Sequence, residues 1–85
     1  MDIEEIRRMR AQGLKADCAT ALGETDWQVI RHMEQKAAGL TATLTDDAFA
    51  ELAQSRQALR DKYHALLAQL ASAQSEKDID AVKWG

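Results

Sequence analysis

Apolar residues recur along this chain at intervals of three and four, and no segment alternates in the manner of a strand, so the pattern predicts helix almost throughout. Proline is absent. Asp2 is placed to cap a first helix over residues 3–22, which carries Ile3, Ile6, Met9, Leu14, Cys18, Ala21 and Leu22, and Gly23 is its expected stop. A second helix over 26–38 has a capping-box start, in which the Thr25 hydroxyl accepts from the Gln28 amide while Gln28 reaches back. Its apolar side is centred on Trp27, Ile30 and Met33, and Gly39 ends it.

After a short connection over 40–44, Thr45 caps a third helix over 46–75, with Asp46 and Asp47 set against its positive end. Phe49, Leu52, Leu59, Tyr63, Leu66, Leu70 and Ala73 form a heptad-like seam that Arg56 interrupts. Such a helix is about 45 Å long at 1.5 Å per residue. A compact domain of this size has a radius of gyration near 12 Å and a diameter of about 30 Å. The expected fold is therefore all-α, a three-helix antiparallel arrangement of residues 1–75 with one long C-terminal helix. Either the first two helices lie in tandem along the third, or its C-terminal half projects and dimerises through the coiled-coil-like seam, with Tyr63, Leu66 and Leu70 as the self-association residues. Residues 76–85 form a short tail in which Ser75 caps one helical turn holding Ile79 and Val82. This tail either folds back on the long helix or offers a docking peptide anchored by Trp84.

Composition narrows the class. With 85 residues, 46% hydrophobic and a net charge of −3, the chain suits one soluble domain. Its aromatics are only Trp27, Phe49, Tyr63 and Trp84, which leaves Ala and Leu to do most of the packing and favours closely spaced helices. No apolar run approaches the roughly 20 residues that span a bilayer, and the first 15 residues are too charged for a signal peptide, so a cytoplasmic protein is expected. Cys18, the single cysteine, reads as a small apolar filler.

Catalytic chemistry finds no support in the spacing. His32 and His64 fall on different helices, no His-x-x-x-His or Cys-x-x-Cys pair exists, and the glycines are isolated, so neither a metal, a cofactor nor an enzyme activity is expected. Arg7, Arg8, Arg10 and Lys15 are balanced by Asp2, Glu4, Glu5 and Asp17, which argues against nucleic-acid binding. A protein partner remains.

Two short segments give that partner a direction: Ala21-Leu22 followed by Glu24-Thr25-Asp26-Trp27, with Val29-Ile30-Arg31 and Glu34 behind them, and then Arg56-Gln57-Ala58-Leu59-Arg60-Asp61. Over about Leu14 to Asp61 the chain resembles the small phage tail-assembly-chaperone proteins encoded near tail-fibre genes. The resemblance implies a phage or prophage protein in the cytoplasm of the host bacterium, which binds a tail component transiently and shields an apolar surface during assembly. It implies contact residues Trp27, Ile30 and Arg31, with Arg56 and Arg60 supplying polar selectivity. Trp27 has a second reading as the anchor of the monomer core. Two other function classes fit the same composition: a small helical inhibitor or decoy of a host protein, and a minor structural subunit of the phage particle.

Overall fold

The computed structural model describes residues 2–85 and is all-helical, with no strand among the described residues. Helix α1 runs from Ile3 to Ala37, α2 from Asp46 to Ser72 and α3 from Glu76 to Ala81. The helices expected over 3–22 and 26–38 are thus a single element. Asp2 starts it as anticipated, its carboxylate accepting from the Glu5 amide at 2.9 Å. Gly23 does not stop it, because its φ is not in the left-handed region, and Thr25 does not cap. The Thr25 hydroxyl instead donates back to the Leu22 carbonyl at 3.4 Å, a bond made within a continuing helix. A glycine in a helix interior costs only about 1 kcal/mol relative to alanine, less than packing along the rest of a 35-residue helix supplies.

The true stop is Gly39, at φ 72°. Its amide donates to the Lys36 carbonyl at 3.1 Å and the Leu40 amide to Gln35 at 2.9 Å, the paired bonds of a Schellman motif. The connection is then pinned from α1. Gln35 donates to the Thr43 hydroxyl at 3.0 Å and accepts from its amide at 2.9 Å, and Lys36 pairs with Asp46 at 3.0 Å. Thr45 caps α2 by accepting from the Ala48 amide at 3.1 Å. The expected end at residue 75 moves back, because Ala73 is extended and Ser75 turns to cap α3, accepting from the Asp78 amide at 3.1 Å.

Antiparallel pairing of α1 and α2 follows from their cross-links: the Arg7 guanidinium donates to the Leu70 carbonyl, the Cys18 thiol lies 3.9 Å from the Leu59 carbonyl, and the His32 and Phe49 rings stack 4.0 Å apart. The hairpin is elongated, 55 × 19 × 16 Å with a radius of gyration of 17.3 Å. The expected α2 seam is the face turned toward α1, and Arg56 belongs to it. Its partner seam on α1 also follows heptad spacing: Arg7, Ala11, Leu14, Cys18, Ala21, Thr25, Gln28, His32 and Gln35 are all buried or half-buried. The two ends of this interface differ in chemistry. At one, Leu14, Leu70, Ala73, Ile79 and Val82 form a closed apolar cluster, with Ile79 fully buried. At the other, the inward residues of α1 are Thr25, Gln28, His32 and Gln35.

Candidate docking face

Several large apolar residues of α1 point away from the hairpin interface. Met9, Trp27, Ile30, Met33 and, just past the helix, Leu40 are each more than half exposed. Trp27, Ile30 and Met33 step by three along the wall opposite the α2 seam, while polar positions on the inner side are half-buried or, at His32, buried. The Arg31 guanidinium lies 5.7 Å from the centre of the Trp27 ring, within reach of a cation–π interaction at a solvated site. The reading of Trp27 as core anchor is therefore overturned: the residue is 56% exposed. The cause is the fusion of the first two helices, which fixes the phase of 26–37 from the packing of 7–21.

Arg56 is placed differently from the expectation. Its side chain is only 12% exposed and is spent inside the molecule. One guanidinium nitrogen donates to the Leu22 carbonyl at 2.8 Å and to the Thr25 hydroxyl at 2.7 Å, and the other to the Asp26 carboxylate at 2.7 Å. Those three acceptors span the stretch where sequence predicts one helix to end and another to begin. Arg56 is thus a structural clasp across the hairpin rather than a residue offered to a partner, and Arg60, one turn further on, is half-buried.

The remaining candidates are also engaged within the chain. Leu70 is buried in the apolar cluster, and Tyr63 and Leu66 pack against it, so the proposed self-association seam is covered by α1 and α3. Trp84 is no free anchor: it packs on the same cluster, with the Lys62 ammonium 4.4 Å from its ring centre. Arg10 holds α3 from the other side through Asp80 at 3.2 Å.

His32 is buried with Nδ1 unpartnered, and its ring is stacked on Phe49. No three metal-ligating side chains converge among the described residues. The recess lined by Trp27, Gln28, Arg31, His32, Gln35, Thr43 and Leu44 holds about 50 Å³, well below the several hundred Å³ of ordinary ligand pockets. At the start of α2 Asp46 is held below the usual carboxylate range, by the Lys36 hydrogen bond and charge and, more weakly, by His32. Sequence reasoning found Trp27, Ile30 and Met33 as one stripe; it missed Leu40, just past the helix, and Met9, which joins the stripe only once α1 is continuous. No helix among the described residues is long and apolar enough to cross a membrane. Comparison of the chain with protein-family models, with curated proteins and with solved structures gave no match.

Proposed function

We propose that the protein is a non-enzymatic protein-interaction module that receives an apolar segment of a partner on the outer wall of α1. One observation carries this: between Thr25 and Gln35 the helix buries His32, half-buries Thr25, Gln28 and Gln35 beside Val29, and leaves Trp27, Ile30 and Met33 in water. A monomer with no partner would gain from the opposite arrangement, since each fully buried large apolar side chain contributes about 1.5–3 kcal/mol. A contiguous aromatic and aliphatic strip beside an arginine is the composition of a binding hot spot. Trp27, Ile30, Met33 and Arg31 are the contact residues of this reading; Arg56, Arg60 and Trp84 are withdrawn from it.

The partner class comes from the resemblance over residues 14–61. On that basis the client is a phage tail or tail-fibre component, bound transiently in the cytoplasm before assembly, with no nucleotide or metal required. The test is affinity capture of tagged protein from native lysate before and after prophage induction, read by mass spectrometry. The expected result is a tail or fibre protein enriched only after induction and lost with Ile30→Glu. Recovery of one host enzyme instead identifies an inhibitor, and a stoichiometric complement in purified particles identifies a structural subunit; either result removes the assembly role.

A further inference from the structure

We propose that the outer wall of α1 pairs antiparallel with the same wall of a second copy of this chain. From Met9 the outward positions follow a heptad of their own: Met9, Gln12, Ala16, Ala19, Gly23, Asp26, Ile30, Met33 and Ala37, with Leu40 one further step beyond the helix. All are exposed, so α1 carries two seams on opposite sides, and the one in water is the more apolar.

The order of sizes selects the occupant and its direction. The small residues Ala16, Ala19 and Gly23 gather in the first half of the seam, and the large apolar pair Ile30 and Met33 lies in the second. Laid antiparallel about a point between Glu24 and Thr25, a second copy sets Met9 against Leu40, Gln12 against Ala37, Ala16 against Met33, Ala19 against Ile30 and Gly23 against Asp26. Large and small side chains then alternate across the seam, apart from the terminal Met9–Leu40 pair, and the separation stays even along about 45 Å. Gln12, the one uncharged polar member, falls near the end of the pairing, where its amide reaches water beside Ala37. A parallel pair would stack Ile30 and Met33 on their own copies and Ala16 and Ala19 on theirs, forcing the helices to splay.

Gly23 supplies an independent observation. A Cβ built there meets nothing within 4 Å, as at Gly13, and the backbone is ordinary helix, so the monomer requires neither glycine of α1, and Gly23 is the one that lies at the middle of the outward wall. Close approach of a second helix does. The facing Asp26 is the one charge in the seam, already neutralised by Arg56 at 2.7 Å, and a polar residue at a central seam position fixes register in paired helices. Four large apolar side chains, Met9, Ile30, Met33 and Leu40, and the intervening alanines offer area on the order of the 800 Å² per partner that stable interfaces bury.

The surface overlaps the client face at Ile30 and Met33, but the dimer does not rest on that reading, since its readout needs no client. Light scattering behind gel filtration, over a concentration series of the full chain, is expected to give twice the 9.4 kDa chain mass. Ile30→Glu and Ala16→Glu are each expected to return the single-chain mass with helical circular dichroism unchanged. Under oxidation, Ala16→Cys mixed with Met33→Cys should form a disulfide-linked pair that neither variant forms alone. A single-chain mass at every concentration overturns the proposal, as does a dimer that survives either glutamate. Self-cross-linking of each cysteine variant overturns the antiparallel order. Ala16→Glu leaves Trp27 in place, so loss of the dimer with client capture retained separates this proposal from the functional one.

Discussion

Arg56 and Trp27 exchange the roles that their chemistry suggests. A guanidinium invites the expectation of a solvated selectivity group, and an indole that of a core anchor, yet the arginine is enclosed and the tryptophan stands in water. Hydrogen bonds to a charged group contribute about 1.5–3 kcal/mol each when enclosed and less where, as at Asp26, one partner is half exposed. Arg56→Met should therefore destabilise the monomeric chain by about 1–3 kcal/mol in chemical denaturation. Trp27→Ala should change it by no more than about 0.5 kcal/mol, the range of surface substitutions. A Trp27→Ala loss as large as that of Arg56→Met would return the indole to the core and remove it from the docking face.

At the scale of elements, α3 is short but closes the only apolar cluster formed by the described buried residues. Ile79 is 0% exposed and touches a cluster that includes Leu14 and Leu70, so Ile79→Ala should cost about 2–5 kcal/mol, measured by thermal melting. An effect below about 1 kcal/mol, too small for a buried aliphatic truncation, would mean that α3 is not docked in solution. Helix ends were legible where their signals are local: Asp2, Gly39, Thr45 and Ser75 each act within four residues. The break expected at Gly23 and Thr25 failed for the complementary reason. The group that ties Leu22, Thr25 and Asp26 together is thirty or so positions away, and no local pattern contains it. Periodicity likewise identified the α2 seam through Tyr63, Leu66 and Leu70 but not its occupant, because spacing says that a face is covered and not by what. It grouped Trp27, Ile30 and Met33 correctly, while their outward direction depends on the phase carried through Gly23.

For the whole molecule the governing feature is asymmetry along its 55 Å length. One end is sealed by buried aliphatic side chains and the other, where Val29, Leu44 and Leu52 are only half-buried, is joined by amides, hydroxyls and a histidine stacked on Phe49. Amide hydrogen exchange should be slowest around Leu14 and Leu70 and fastest in residues 28–52, because local opening follows the density of buried apolar contact. Equal protection at the two ends would overturn this picture. The connection adds an acid-sensitive element: Asp46, lowered by Lys36, favours the folded hairpin above the ordinary carboxylate value of 3.8 and loses that contribution as pH falls through its own depressed value.

The position of Ile79 and Val82 also bears on synthesis. Residues that emerge early, Ile3 to Leu14, complete their burial only against residues made some 65 positions later. Closing so long a loop is entropically unfavourable and must precede any gain from the contact. A nascent chain translated as far as α2 therefore covers Leu14 only in part, through Leu70, and the apolar cluster closes when Ile79 and Val82 follow.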